Sequence, residues 1–163
     1  MTSGADFFSD EAWTAGIIGL GYVGLPLAVT AVESGVAVIG FDVDESYLTR
    51  LRSGDSPIED VTDEQLAAAL ASGLELSADV ERLRSADAVF ICVPSALGRN
   101  GEPDLSYIRA AADTLRAIDH PGMLVSLEST TYQGTNEDII VPAATDGGLT
   151  LDTDVWVAFS PDR

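Results

Sequence analysis

Two rhythms of apolar residues alternate along the chain. Short, near-continuous runs rich in β-branched side chains occupy positions 15–19, 37–42, 74–76, 88–93, 123–127 and 155–159. Runs of that length and make-up suit strands buried on both faces, the condition of a parallel sheet. Between them, apolar residues return every three or four positions at 24–34, 46–52, 63–71, 78–84, 104–117 and 135–144, which predicts helices. Pro103 and Asp104 mark the start of the fifth helix, where Leu105, Ile108, Ala112 and Leu115 share a face. Pro142 interrupts the sixth. This alternation predicts an α/β fold: a doubly wound, mostly parallel six-stranded sheet in a single domain. Right-handed crossovers order its strands 3-2-1-4-5-6. Residues 1–13 stand outside the pattern as a short polar leader, and 14–163 form the domain.

The turn after the first strand, Gly19-Leu20-Gly21-Tyr22-Val23-Gly24, has the spacing G-x-G-x-x-G. Glycine at the first position permits a tight turn, at the second lets a diphosphate approach the backbone, and at the third lets the helix pack close. A strand before it, a helix after it and an acid about 20 residues on make this the dinucleotide fingerprint of a Rossmann-type sheet. That acid is Asp42, at the end of the second strand. Its carboxylate would accept hydrogen bonds from ribose hydroxyls and repel a 2′-phosphate. Val43, Asp44 and Glu45 follow it and offer no arginine to offset that repulsion. The cofactor expected is therefore NAD rather than NADP, held by Gly19 through Gly24 and Asp42. The structural alternative is that Asp42 only caps the helix after it.

Ligands of open α/β sheets sit outside the carboxyl ends of the strands, where strand order reverses. Strand four ends in Cys92-Val93-Pro94-Ser95, strand five in Glu128-Ser129-Thr130-Thr131 and strand six in Ser160-Pro161-Asp162. Val93, Pro94, Ser95, Ser129 and Thr130 are thus expected beside the nicotinamide half, and Asp162 beside a water or a substrate hydroxyl. Helix capping is the plainer use of the hydroxyls. His120 precedes strand five and belongs to the opposite end of the sheet. Cys92 lies in an apolar strand and reads as a small hydrophobe rather than a nucleophile. With one cysteine and one histidine, no internal disulfide, cysteine zinc site or histidine cluster can form, and no metal is expected.

Taken together these residues resemble the UDP-glucose/GDP-mannose dehydrogenase family, over nearly the whole chain. The resemblance runs through Gly19–Ala28, Gly40–Asp44, Phe90–Pro94, Pro103–Ile108, Leu127–Tyr132 and Ala158–Pro161. The fifth and sixth pieces are the specific ones, and the Glu-Ser-Thr-Thr-Tyr form is closer to the branch acting on UDP-N-acetylhexosamines than to that acting on UDP-glucose. The resemblance implies an NAD-dependent oxidation of a nucleotide sugar at C6, in polysaccharide biosynthesis. An alcohol becomes an aldehyde, a cysteine captures it, and a second hydride transfer leaves a thioester that water hydrolyses to the uronic acid. Thr130 and Asp162 would help place the water or stabilise the developing charge. Asp162 stands where the family usually has Glu, Ser95-Ala96 where it has Thr-Pro, and Gln133 where it has Pro. The shorter Asp162 reaches less far.

The family's nucleophilic cysteine, its lysine and its sugar-binding domain fall after Arg163 in this resemblance. The chain has no lysine, and Cys92 is in the wrong segment. These residues are therefore expected to bind NAD without turning over a nucleotide sugar. The full-length protein is expected to be a homodimer and this portion a monomer. Two other readings remain open: a stand-alone NAD-binding module, and the cofactor domain of a β-hydroxyacid-type dehydrogenase. Ser-Pro-Asp after strand six and Pro-Asp-Leu-Ser-Tyr after strand four argue against the second.

Charge narrows the partners. The chain carries 27 acidic residues against eight basic ones, all arginine, for a formal charge of −19. Nucleic acids and anionic membranes both need a basic face, so neither is an expected partner. No apolar run reaches the roughly 20 residues that span a bilayer, and the acidic start lacks a signal peptide's positive region; a cytoplasmic protein is expected. The acids are spread along the chain, as on a solvated acidic surface, and their self-repulsion should be relieved by salt. The melting temperature is accordingly expected to rise from low salt to molar KCl. A melting temperature that does not move would show that the charge is no burden on the fold.

Overall fold

In the computed structural model residues 12–94, 104–132 and 134–160 are described. The polar leader up to residue 11, Ser95, Pro103, Gln133 and Asp162 lie outside them. Six strands, β1 (Thr14–Ile18), β2 (Ala37–Phe41), β3 (Glu75–Ser77), β4 (Ala88–Ile91), β5 (Met123–Leu127) and β6 (Val155–Phe159), pair in one sheet. Their order is β3-β2-β1-β4-β5-β6 and every pairing is parallel, as the apolar runs predict. β2 and β4 end one and two residues earlier than expected, because β1 leaves the sheet at Gly19 and takes their common partner away. The ladder survives one step further, with the Cys92 N–H donating to the Ile18 carbonyl (2.8 Å) and that of Glu128 to Ile91 (3.0 Å).

Alternate residues of each strand bury into different cores. On one face Ala15, Ile17 and Val38 meet α1 (Gly24–Glu33), α2 (Glu45–Arg52) and α3 (Asp63–Ala71) through Leu25, Val29, Leu48, Leu51 and Leu66. On the other, Ile18, Val89, Ile91 and Val125 meet α4 (Ser106–Ile118) and α5 (Val141–Ala144) through Ile108, Leu115, Ala143 and Ala144. Helices on both faces are what a doubly wound parallel sheet requires. Among the described residues no helix is long and apolar enough to cross a membrane.

Local chemistry sets the helix ends. Asp44 caps α2, and Thr62 with Gln65 forms a reciprocal capping box on α3. Asp104 accepts the Ser106 N–H (2.9 Å), so α4 begins two residues later than expected. The helix expected over 78–84 is a 3-10 segment, Val80–Ser85, and the one expected over 135–144 opens into a π-helical turn, Asn136–Ile140, before α5. Pro142 has no N–H for the carbonyl four residues back, and its ring crowds that carbonyl, so the preceding turn widens.

The 3-10 segment earns its place by one side chain. Leu83 is fully buried, and a Cβ on Gly16 in β1 would stand 2.9 Å from its Cδ2. Leu83→Ala is expected to cost about 2–5 kcal/mol, read as a lower urea midpoint at unchanged slope. A loss below about 1 kcal/mol would mean that the neighbouring side chains close the gap.

Candidate functional site

The sheet reverses strand order between β1 and β4, and the glycine turn leaves the sheet there. Gly19 has φ +91, and a Cβ on it would meet the Cys92 carbonyl oxygen at 2.8 Å. A Cβ on Gly24 would stand 1.8 Å from the Gly19 carbonyl oxygen and 3.2 Å from the Cys92 Cβ. Around the Cβ position of Gly21, by contrast, nothing lies within 4 Å. The first and third glycines thus close the turn upon itself and β4, while the second faces open space. The N–H groups of Gly21, Tyr22 and Val23 have no acceptor among the described residues. Free donors beside a vacant glycine at the start of α1 form a cradle that an anionic group fits.

Asp42 stands beside this turn. Its Oδ2 accepts the Leu20 N–H (3.1 Å) and its Oδ1 that of Asp44 (3.1 Å). Capping of α2 falls to Asp44, whose Oδ1 accepts the N–H groups of Ser46 (2.9 Å) and Tyr47 (3.0 Å). Those contacts and the Ser46 hydroxyl hold the Asp44 carboxyl below its ordinary range, the hydroxyl most. Asp42 is therefore not the cap, and its remaining lone pairs face a cleft.

Two clefts flank the turn and share Val93 and Pro94 as a wall. One, of about 300 Å³, lies between Gly19, Phe41, Asp42 and Val43 on one side and Tyr107, Ala111 and Thr114 of α4 on the other. The second, of about 220 Å³, is lined by Gly21, Tyr22, Val23, Cys92, Glu128, Ser129 and Thr130. Among the described residues no arginine lines either. A dinucleotide laid across the turn would put one half in each. Tyr22 is 75% exposed at the mouth of the second.

The other expected residues divide. Thr130 is exposed in the second cleft. Ser129 lines it too, but its hydroxyl is buried and donates to the Val93 carbonyl (2.6 Å), tying the ends of β4 and β5 together. Ser95 and Asp162 lie outside the described residues. Cys92 is buried, and burial, then the Glu128 charge, pushes its thiol up to about 12. It is no nucleophile at neutral pH. His120 sits at the amino end of the strands, its Nε2 within 3.0 Å of the Ala86 carbonyl oxygen and far from both clefts. Among the described residues no group of three or more His, Cys, Asp or Glu is placed to hold a metal ion.

Sequence reasoning missed Tyr47, Tyr107 and Glu128. Tyr107 and Glu128 line the clefts, and the Tyr47 hydroxyl donates to the Leu20 carbonyl (2.7 Å). For the last the sequence offered only one aromatic residue in a short helical stretch of mostly polar residues. Gly21→Ala should leave the melting temperature within a few degrees yet weaken NAD more than about tenfold, because its methyl enters only the cradle. Gly24→Ala should destabilise the fold itself, its methyl meeting a carbonyl oxygen. Equal effects of the two on thermal denaturation and NAD titration would contradict this division.

Comparison with known proteins agrees with this geometry. The family model for the UDP-glucose/GDP-mannose dehydrogenase family, NAD binding domain, matches residues 14–163. The UDP-N-acetyl-D-glucosamine 6-dehydrogenase of Salmonella typhi is 36% identical over 158 residues, covering 96% of this chain and 36% of that protein. Protein CapL of Staphylococcus aureus is 35% identical over 148 residues, 90% of this chain and 34% of that one. The structure of the UDP-D-ManNAc dehydrogenase of Pyrococcus horikoshii aligns with a TM-score of 0.86 at 34% identity, covering 92% of this chain and 36% of that chain. The chain spans about a third of the length of the relatives it matches. By sequence and by fold it belongs to the UDP-glucose/GDP-mannose dehydrogenase family, and it is that family's NAD-binding domain.

Proposed function

We propose that this chain holds NAD for a nucleotide-sugar 6-dehydrogenase acting on a UDP-N-acetylhexosamine, or on UDP-glucose, to give the uronic acid. The observation that carries the reading is the Asp42 carboxylate, bonded to the turn at Leu20 and facing a cleft that no described arginine lines. That carboxylate would accept the adenosine ribose hydroxyls and exclude a 2′-phosphate by charge. The free N–H groups of Gly21, Tyr22 and Val23 would meet the diphosphate at the start of α1. Val93 and Pro94 would separate the two halves of the cofactor. Ser95, Ser129 and Thr130 would border the nicotinamide, the buried Ser129 through its acceptor lone pairs. NAD, when bound, supplies the hydride acceptor. Thr130 and Asp162 would orient the water or the oxygen on which charge develops.

The sugar is proposed from the named activities of the relatives. The chain has no lysine, and its one thiol is buried and protonated. We therefore assign capture of the aldehyde to a cysteine that this chain does not supply.

Calorimetry on the 163-residue chain should show NAD binding, with NADP much weaker. Asp42→Asn is expected to weaken NAD about tenfold, by loss of charge-assisted hydrogen bonds, and to narrow the gap to NADP. Unchanged affinities would remove the carboxylate from the ribose. NADH should not form from UDP-N-acetylglucosamine with this chain alone; turnover there would overturn the assignment of the thiol step.

A further inference from the structure

Leu20 is held at three points by one segment, β2 with the start of α2. Its N–H donates to Asp42 Oδ2 (3.1 Å), and its carbonyl accepts the Tyr47 hydroxyl (2.7 Å). Its side chain is fully buried against Gly40, where a Cβ would lie 2.9 Å from Leu20 Cδ2. The peptides on either side of Leu20 are therefore both fixed in orientation. The second joins Leu20 to Gly21. In a trans peptide the carbonyl and the N–H point in opposite directions. Drawing the Leu20 carbonyl toward Tyr47 thus turns the Gly21 N–H away from it, and that N–H has no acceptor among the described residues.

We infer that Tyr47 is a positioning residue for the cofactor's diphosphate: its hydroxyl, bonded to the Leu20 carbonyl, orients the Leu20–Gly21 peptide so that the Gly21 N–H is presented to the phosphates. The inference rests on the NAD reading of the same turn. Asp42 has a direct use, on the ribose; Tyr47 acts through the backbone it holds. Its ring packs on the core formed with α1 and α2, which fixes the hydroxyl in place. Burial first, and then the Asp42 charge, push the phenol above its ordinary range, so it remains a donor at neutral pH. Without that bond the peptide could rotate, and the entropy of ordering it would be charged to the binding of NAD.

The test compares the 163-residue chain with its Tyr47→Phe variant, which removes one oxygen and keeps the ring. NMR titrations with NAD and with adenosine read affinities, and the Gly21 amide nitrogen resonance reports the bond accepted by the Leu20 carbonyl. The variant should bind NAD about three- to tenfold more weakly, the range for one lost hydrogen bond. Adenosine affinity should hold within about twofold, and the Gly21 resonance should shift, with the melting temperature little changed. An equal loss for adenosine and NAD would make Tyr47 a ribose or adenine contact and overturn the proposal. So would unchanged NAD affinity, an unmoved Gly21 resonance, or a variant that does not fold. If the wild-type chain itself binds no NAD, the cofactor reading falls, and this inference with it.

Discussion

The site depends on a clearance that only glycine allows. Between the Gly19 carbonyl and the Cα of Gly24 there is no room for a methyl group, which would sit 1.8 Å from the oxygen. That closeness lets the chain leave β1, fold back over the end of β4 and enter α1 within five residues. The start of α1 consequently stands directly over the reversal of strand order, with unpaired N–H groups beside the crevice. Any wider turn would move the helix away from both clefts and draw Leu20 off β2.

From that turn the structure spreads in two directions. Toward β2, Leu20 carries the turn into the core, and the segment beneath it supplies Asp42 and Tyr47. Toward β4 and β5, Gly19 lies on the backbone of Cys92 and Val93, and the Ser129 hydroxyl ties the end of β5 to Val93. The turn between the two clefts is thus main chain braced from behind by a few buried or half-buried side chains. Such a surface costs little ordering when a ligand arrives, which is the physical basis of preorganisation. Leu20, Tyr47 and Ser129 hold the main chain from within, while Asp42 and Thr130 line the clefts.

Charge plays a different part. The six arginine ion pairs among the described residues, made by Arg50, Arg52, Arg82, Arg84 and, twice, Arg116, are all on the surface. Exposed pairs of this kind contribute about 0–1 kcal/mol each. They leave most of the described acids without an arginine partner, and none of these arginines lines either cleft. Among the described residues no arginine faces Asp42 across its cleft. In the function proposed above, selection of NAD would follow from that one carboxylate.

The strand runs, their order and the glycine–acid fingerprint were legible in the sequence by itself. They depend on rules of short range: apolar periodicity, a handed crossover, and turn geometry that needs glycine at set positions. Helix ends were less legible where one residue's competing bonds decided them, as with Asp104 before α4 and Pro142 after the π turn. What only the tertiary structure decided was the division of labour among polar side chains. Asp42 and Asp44 are two residues apart and chemically identical. One caps α2 and the other turns to the cleft, because Leu20 arrives from a distant part of the chain to take its hydrogen bond. Tyr47 and Ser129 acquire their places in the same way, from partners 27 and 36 residues off that converge only when the strands are side by side. Sequence specifies which groups are available, but the partner that each one meets is set by packing between segments far apart along the chain.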